Sequence, residues 1–338
     1  MISKNNLRIV FMGTPEFAVE TLKSLVENDF NVVAVVTQPD KPVGRHGSVL
    51  RPSAVKEYAV AHDIPVLQPE KMKDPTFVEE LRSYEADLQV VVAFRMLPEI
   101  VWDMPRFGTF NVHAALLPLY RGAAPINWAI IHGETYTGVT TFFLDHQIDT
   151  GRIIKQKRFE IPDDADVEYV YDGLMRLGAE LAIETIQAII DGDGHVESKP
   201  QDEILAELSE RASEELPSAP KIFKETCEIA WDKPAKQVYD FVRGLSPVPA
   251  AWSTLERGER FEPVVVKIYR THKTGEPSKG APGTVCVEHG RLLVATADEW
   301  IEVKDLQMAG KKRMDAVAFL NGLRMDENTK LCFTHDKA

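Results

Sequence analysis

Cysteine is scarce in this 338-residue chain, which contains Cys227, Cys286 and Cys332 and no others. These residues form no Cys-x-x-Cys pair and show no spacing typical of a zinc site. The sequence therefore predicts neither a disulfide framework nor a metal centre. Isolated thiols are typical of a reducing compartment, so we expect a cytoplasmic protein.

Long apolar runs are also missing. No stretch approaches the ~20 apolar residues that a membrane-spanning helix needs, and residues 1–6 lead into a strand-like segment without the apolar region of a signal peptide. Apolar residues still make up 44% of the chain and charged residues 27%, a composition that forms a core and excludes general disorder. At about 150 residues per domain, the length suggests two domains.

Positive charge is in deficit, but only in part of the chain. The net charge is −13, of which residues 1–214 contribute −14 and residues 215–338 contribute +1. A nearly neutral carboxyl-terminal part can still present a local basic face. Candidate phosphate contacts there are Lys267, Arg270 and Lys311-Lys312-Arg313, although such residues are more often solvated surface charges. Charge alone leaves nucleic-acid binding open.

The first predicted strand is not followed by a glycine-rich loop. The turn reads Gly13-Thr14-Pro15-Glu16, where a dinucleotide-binding fold would have G-x-G-x-x-G. Pro15 also removes an N–H that could bind phosphate. We therefore expect no nucleotide cofactor, which disfavours an NAD-linked oxidoreductase.

Apolar strand patterns alternate with helical patterns in the first half. Strands are predicted at residues 7–12, 31–37, 88–94, 110–113 and 138–144, with helices after Pro15 and at 53–62 and 166–190. Fully apolar strands separated by helices are typical of a parallel sheet covered on both faces. The sequence predicts an α/β domain with a Rossmann-like, mostly parallel sheet.

The carboxyl-terminal part has a different pattern. Short strands are predicted at 228–231, 251–255, 263–269, 283–287, 291–295 and 300–306, with one helix near 233–243. This pattern favours a small β-barrel, for which an OB-like barrel is one option. We expect a catalytic domain at residues 1–195, a polar linker at 196–220 and a barrel domain at 221–338.

Two polar residues share one face of a predicted strand. Asn111 and His113 are two residues apart, so their side chains point the same way. An amide and an imidazole placed together suit a reaction that develops an oxyanion, because both can donate a hydrogen bond to it. Alternatively, both satisfy backbone groups at the end of a strand.

A carboxylate is available in the loop that follows residues 138–144. Either Asp145 or Asp149 could orient His113 and stabilise its protonated form. Asp149-Thr150-Gly151 is also compatible with an ordinary turn, and spacing does not decide between the two aspartates.

The segment 38–52 is long for a strand-to-helix connection, where 2–6 residues are usual. It carries Lys41, Arg45 and Arg51 within an otherwise acidic half. It is either a basic arm that grips phosphate or a solvated insertion.

Several motifs, taken in order, resemble the methionyl-tRNA formyltransferases, a family of the 10-formyltetrahydrofolate-dependent transferases. They are Gly13-Thr14-Pro15-Glu16-Phe17-Ala18, the Gln-Pro-Asp-Lys-Pro-Val-Gly-Arg sequence at 38–45, Asn111-Val112-His113, Leu116-Leu117-Pro118-x-x-Arg121-Gly122-Ala123-Ala124-Pro125-Ile126 and Asp149-Thr150-Gly151. The resemblance extends to Lys221-Ile222 and Val248-Pro249-Ala250-Ala251-Trp252. The long basic loop combined with a carboxyl-terminal barrel is the narrower signature.

The resemblance implies transfer of a formyl group from 10-formyltetrahydrofolate to the α-amino group of methionyl initiator tRNA. Asn111, His113 and Asp149 match the family's catalytic trio. The folate-contacting segments match Ala115-Leu116-Leu117-Pro118 and, more loosely, Phe94-Arg95-Met96-Leu97. Lys41, Arg45 and Arg51 lie in the arm that matches the one entering the acceptor stem, although Arg45-His46-Gly47-Ser48 is less lysine-rich than in some relatives. The resemblance also suggests a monomer.

Two alternative functions remain. One keeps the chemistry but changes the acceptor to a nucleotide-linked amino sugar or to glycinamide ribonucleotide; the latter needs only about one domain. The other is a non-catalytic RNA-binding protein on a degenerate formyltransferase fold, which the complete set of Asn111, His113 and Asp149 argues against.

Overall fold

The structure, a computed structural model, describes residues 2–43, 49–209, 216–258, 261–323 and 330–334. The chain divides into two compact units. The first comprises Met1–Gly122, Thr137–Glu160 and Tyr171–Ser218, and the second comprises Ala123–Tyr136, Ile161–Val170 and Ala219–Ala338. Two short segments of the amino-terminal half therefore pack with the carboxyl-terminal residues.

The amino-terminal elements follow one another as strands and helices. In chain order they are β1 (Ile9–Gly13), α1 (Glu16–Glu27), β2 (Val32–Val36), β3 (Lys41–Val43), β4 (Val49–Arg51), α2 (Ala54–Ala61), β5 (Val66–Leu67), α3 (Pro75–Ser83), β6 (Leu88–Val92), α4 (Glu99–Trp102), β7 (Thr109–His113), β8 (Arg121–Gly122), α5 (Pro125–Ile131), β9 (Tyr136–Phe143), β10 (Ile153–Glu160), α6 (Val167–Asp191), α7 (Gln201–Ser209) and β11 (Ser218–Ala219). The helix α7 lies within the predicted linker.

The carboxyl-terminal elements are mostly strands. After a 3-10 turn at Glu225–Cys227 they are α8 (Ala235–Leu245), β12 (Ala251–Glu256), β13 (Val264–Pro277), β14 (Val285–Glu288), β15 (Arg291–Ala295), β16 (Glu299–Met308), β17 (Met314–Asp315), α9 (Ala316–Gly322) and β18 (Cys332–Thr334).

The first unit is built on a sheet with the strand order β10-β9-β7-β6-β1-β2-β5. The five strands from β5 to β7 run parallel, while β9 pairs antiparallel with β7. Both β1 and β6 are buried along their whole length, which is why they read as continuous apolar runs. The predicted Rossmann-like, mostly parallel sheet is confirmed.

Helices cover both faces of this sheet. On one face, Val10 and Met12 of β1 and Val91 of β6 share an apolar cluster with residues of α3 and α4. On the other face, the Oγ1 atoms of Thr141 in β9 and Thr185 in α6 form a 2.8 Å hydrogen bond. The two faces of the sheet thus pack against different helices.

The second unit contains an antiparallel sheet with the order β14-β15-β16-β13-β12-β18, and β17 pairs with β16. Its two ends meet, because a bridge joins Thr284 to Cys332 and the Phe333 N–H donates to the Gly283 carbonyl at 2.8 Å. The fully buried Trp231 and Phe333 lie in the enclosed core. This closure confirms the predicted small barrel.

The prediction of a strand at residues 228–231 is wrong. Ile229 and Trp231 are buried, as the apolar pattern requires, but this segment makes only an isolated bridge between Glu228 and Trp252. Burial without continuous pairing gives an apolar pattern that resembles a strand.

A buried charge network stabilises α8. The Asp240 side chain is 4% exposed and accepts from Arg243 Nε at 2.8 Å and from Lys236 Nζ. Arg243 also donates to the carbonyls of Pro162 and Ala165, at 3.3 and 2.9 Å. The network therefore joins α8 to the Ile161–Val170 segment of the same unit.

We expect Asp240→Asn to lower the free energy of unfolding of this unit by about 3 kcal/mol, because it leaves the buried Arg243 guanidinium without its counter-charge. Urea unfolding followed by tryptophan fluorescence measures the change. Lys23→Gln, which removes an exposed pair with Glu27, is the control and should change stability by less than about 0.5 kcal/mol. Equal effects of the two substitutions would contradict a stabilising role for the network.

Within the described ranges, none of the helices combines the length and apolar character that crossing a bilayer requires.

Candidate active site

Strand register places Asn111 and His113 on one face of the parallel sheet. Asn111 lies opposite Val91, which lies opposite Met12, and both apolar residues belong to the cluster with α3 and α4. His113 shares this face because it is two residues further along β7. It ends β7 at the carboxyl edge of the parallel strands, where open α/β sheets bind ligands.

The His113 ring is buried and fixed by the backbone. Its Nε2 atom lies 2.9 Å from the Tyr120 carbonyl oxygen, and because a carbonyl only accepts, Nε2 carries the proton of that bond. The Nδ1 atom faces the Asp149 carboxylate, with 3.9 Å between Nδ1 and Oδ2. The two side chains are only 7% and 13% exposed. Nδ1 is therefore the ring atom that faces the carboxylate.

The two candidate aspartates have different partners. Asp149 Oδ2 accepts a 3.0 Å hydrogen bond from the Gly122 N–H and faces His113. Asp145 Oδ1 instead accepts from the Gln147 N–H at 3.0 Å and from Thr150 Oγ1 at 2.7 Å. Asp145 thus shapes its own loop, and the geometry favours Asp149 as the carboxylate that acts with His113.

The loop that carries Asp149 is tightly constrained. Asp149 has a φ of +56°, a left-handed conformation that few residues other than glycine adopt. A Cβ on Gly151 would lie 1.7 Å from the Phe143 carbonyl oxygen, so no side chain fits there. Asp149-Thr150-Gly151 is therefore a turn whose geometry aims the carboxylate at His113.

The Asn111 side chain carries a buried oxygen without a partner in the described part of the protein. Its Oδ1 atom is buried and has no hydrogen-bond partner among the described residues. Burying a carbonyl oxygen in this way costs about 1–3 kcal/mol. Strand-end satisfaction, the alternative considered from the sequence, does not account for this oxygen.

The resemblance assigns the segment Ala115–Pro118 to folate contact. Its backbone is fixed by hydrogen bonds from side chains of β9 and β10. Thr140 Oγ1 donates to the Ala115 carbonyl at 2.6 Å and accepts from the Leu117 N–H at 3.1 Å. Gln156 Nε2 donates to the Leu117 carbonyl at 2.8 Å. Ala115 and Leu117 are buried, whereas Leu116 is partly exposed, so Leu116 offers the more accessible side chain.

The second predicted folate segment follows β6. Leu97 is buried and Phe94 is partly buried in the cluster with α3 and α4. Arg95 stacks on Phe94, with 5.6 Å between the guanidinium carbon and the ring centroid, and donates to the carbonyls of Pro69 and Glu70. Burial lowers the pKa of Arg95. These contacts commit the Arg95 side chain to the protein and leave the exposed Met96 at the surface.

Two of the predicted tRNA contacts lie on an exposed hairpin. Lys41 in β3 and Arg51 in β4 are directly opposite each other, and both are exposed, while Arg45 lies outside the described residues. Asp40, next to the hairpin, accepts from Lys56 Nζ at 2.7 Å and from Gln68 Nε2 at 2.7 Å. The hydrogen bond from Lys56, followed by that from Gln68, lowers the pKa of Asp40. Asp40, which directly precedes β3, is therefore fixed to the rest of the protein by Lys56 and Gln68.

Sequence reasoning missed the groups that orient the candidate site. They are the Tyr120 carbonyl, the Gly122 N–H and the side chain of Gln201, which donates to the Asp149 carbonyl at 2.9 Å. The Arg121-Gly122 motif was a usable signal for the first two, but Gln201 lies in the polar stretch read as a linker.

The structure also bears on two features of the sequence analysis, a metal centre and the turn at Gly13. In the part of the chain that the structure covers, no group of three or more His, Cys, Asp or Glu side chains could hold a metal ion. At Gly13, a Cβ would lie 2.6 Å from the Ala18 Cβ, so this glycine allows β1 and α1 to pack closely.

Comparisons with known proteins agree with this architecture. The family model "Formyl transferase" matches residues 7–186, and the model "Formyl transferase, C-terminal domain" matches residues 221–324. The methionyl-tRNA formyltransferase of Parabacteroides distasonis is 56% identical over 326 residues, covering 96% of this chain and 98% of that protein.

Two solved structures share the fold. The N-formyltransferase of Helicobacter canadensis, in complex with folinic acid and dTDP-3-aminofucose, has a TM-score of 0.60 at 20% identity, covering 89% of this chain and 98% of that one. HypX of Aquifex aeolicus, in complex with tetrahydrofolic acid, has a TM-score of 0.60 at 18% identity, covering 98% of this chain and 51% of that one. The matches to both family models and the high identity over nearly the whole length show that this chain belongs to the methionyl-tRNA formyltransferase family and is a formyl-transferring enzyme.

Proposed function

We propose that this chain transfers the formyl group of 10-formyltetrahydrofolate to the α-amino group of methionine carried by initiator tRNA. The observation that carries the proposal is that His113, which shares one face of β7 with Asn111 at the carboxyl edge of the sheet, is buried against the Asp149 carboxylate. The names of the relatives support the same reaction. Residues 1–195 act as the catalytic domain, residues 196–220 as the linker and residues 221–338 as the tRNA-binding domain of a cytoplasmic monomer.

The folate co-substrate supplies the formyl carbon when it is bound. Phe94, Arg95 and Leu97, largely through their backbone groups, and Ala115-Leu116-Leu117-Pro118 form its binding surface. The unpartnered Asn111 Oδ1 atom fits a site that is completed by substrate, because a donor from a bound molecule would satisfy it. The Asn111 Nδ2 atom is the donor of the same carboxamide.

Asn111 and protonated His113 stabilise the oxyanion of the tetrahedral intermediate. The neutral amine attacks the formyl carbon, and the carbonyl electron pair moves to its oxygen. Asn111 Nδ2 and His113 Nδ1 then donate to that oxygen. Asp149 stabilises the His113 cation from 3.9 Å and helps to move one proton from the amine to the folate nitrogen as the bond from carbon to that nitrogen breaks.

Lys41 and Arg51, together with Arg45, contact the acceptor stem. Like charges directly opposite each other in an antiparallel pair repel, and Lys41 and Arg51 are such a pair. A phosphate bound beside them removes this repulsion. The exposed hairpin is thus better suited to a polyanion than to solvent alone.

The reaction is tested by incubating the protein with 10-formyltetrahydrofolate and methionyl initiator tRNA and detecting N-formylmethionine. A nucleotide-linked amino sugar and glycinamide ribonucleotide serve as competing acceptors. Formylation of either small acceptor in preference to the tRNA would overturn the proposed acceptor but leave the chemistry intact.

Asn111→Ala should lower kcat by about 10²–10³-fold, because it removes one donor to the oxyanion. Binding of a folate analogue, measured by titration, should persist. The matched control is Asn31→Ala, which removes an exposed amide bound to the Asn5 carbonyl and should leave kcat unchanged. Near-normal turnover in Asn111→Ala would exclude its role in oxyanion stabilisation.

Asp149→Asn should lower kcat by at least about tenfold, because it removes the charge that favours the His113 cation. Asp145→Asn should have a smaller effect, because the Asp145 carboxylate contacts its own loop. Single-turnover formylation rates of the two variants decide between the carboxylates. The reverse order of effects would assign the role to Asp145.

Lys41→Ala and Arg51→Ala should each raise the KM for tRNA without changing the KM for the folate. Each should also reduce the slope of log KM against log salt concentration by about 1, as expected when one phosphate contact is lost. Lys23→Ala on α1 is the control and should leave that slope unchanged. Unaltered salt dependence in both hairpin variants would exclude their phosphate contacts.

A further inference from the structure

Gln201, the first residue of α7, is a buried amide that contacts the loop carrying Asp149. It is 2% exposed. Its Nε2 atom donates to the carbonyls of Asp149 and Gly151, both at 2.9 Å. Its Oε1 atom accepts from Arg121 Nε at 3.0 Å and from Arg121 Nη2 at 2.6 Å. Both donors and both acceptor positions of the carboxamide are therefore in use.

These contacts close a ring around the Asp149 carboxylate. Arg121 is bonded through its peptide to Gly122, whose N–H donates to Asp149 Oδ2. Gln201 holds the side chain of Arg121 at one end and the carbonyl of Asp149 at the other. One amide thus restrains both the main chain of Asp149 and the segment whose N–H orients its carboxylate.

The position of Gln201 is itself set by the preceding residues. Lys199 and Ile153 exchange two backbone hydrogen bonds, of 2.9 and 2.8 Å. Arg152 Nε donates to Ser198 Oγ at 2.9 Å. Residues 198–199 are therefore paired with the chain directly after Gly151, and this pairing delivers Gln201 to the loop.

We propose that Gln201 is a positioning residue for the formyl transfer, which acts by holding Asp149 in place against His113. The inference rests on the proposed function of Asp149. Asp149 needs such support because it has a φ of +56°, and a conformation of this kind persists only where the surroundings enforce it. Gln201 touches neither substrate nor the reacting atoms in this role.

Gln201→Glu separates the two halves of the ring. A glutamate keeps an acceptor oxygen for Arg121 but has no N–H for the carbonyls of Asp149 and Gly151, so an anionic oxygen faces both of them. We expect kcat to fall by about 10-fold to 100-fold, as displacements of about 1 Å in a catalytic group do. The KM values for folate and tRNA should stay within about twofold, because no substrate contact is removed.

The matched control is Gln187→Glu. Gln187 is a partly exposed residue of α6 whose amide donates to Asp191 in the next turn, and this variant should keep the parental kcat. The melting temperature of each variant establishes that the protein is folded at the assay temperature. If Gln201→Glu does not fold, Arg121→Lys takes its place, because it keeps the charge but loses the two-pronged contact with Oε1.

A double variant distinguishes a positioning role from a general structural one. In the Asp149→Asn background, Gln201→Glu should change kcat by less than about twofold, because a residue that acts through Asp149 has no further effect once the carboxylate is lost. Effects that multiply, or normal turnover in the Gln201→Glu single variant, would overturn the role of Gln201. Normal turnover in Asp149→Asn alone would instead overturn the proposed function of Asp149.

Discussion

The candidate site depends on one largely buried contact, in which the Asp149 carboxylate lies 3.9 Å from His113 Nδ1. A carboxylate and an imidazole lose their hydration when they are buried, so each needs hydrogen-bond partners inside the protein. Both partners come from one three-residue segment, since the Tyr120 carbonyl accepts from His113 and the Gly122 N–H donates to Asp149. One short turn therefore sets the position of the imidazole and the carboxylate together.

Backbone conformation explains why this turn can serve both groups. Tyr120 has a φ of +57° and Gly122 a φ of +128°, so both residues depart from the backbone conformations of ordinary strands and helices. With this backbone, the Tyr120 carbonyl accepts from His113 and the Gly122 N–H donates to Asp149. Glycine is favoured at position 122 because residues that have a Cβ rarely adopt such a φ. The Arg121-Gly122 motif is thus a matter of geometry as much as of chemistry.

The sheet was largely predictable from the sequence, because its central strands are buried on both faces and contain continuous apolar runs. The strand β10 was missed because Gln156, Arg158 and Glu160, on one of its faces, are exposed and polar, so the segment lacks a continuous apolar signal. The segment 228–231 failed for the opposite reason, since it is apolar without being continuously paired. An apolar pattern indicates that a segment is buried. It predicts a strand only where the buried segment is also hydrogen-bonded into a sheet.

The candidate site was predictable only where local geometry carries the information. The common face of Asn111 and His113 follows from a strand period of two, but the choice between Asp145 and Asp149 depends on a loop whose partners are distant in sequence. Gln201 could not be predicted for the same reason, because its partners Asp149 and Gly151 are about 50 residues away in the sequence. A buried amide needs up to four partners, and spare carbonyls occur mainly in irregular backbone such as the turn at Asp149–Gly151. A polar residue outside any apolar pattern can therefore be buried beside a site, so composition alone underestimates what a polar segment contributes to it.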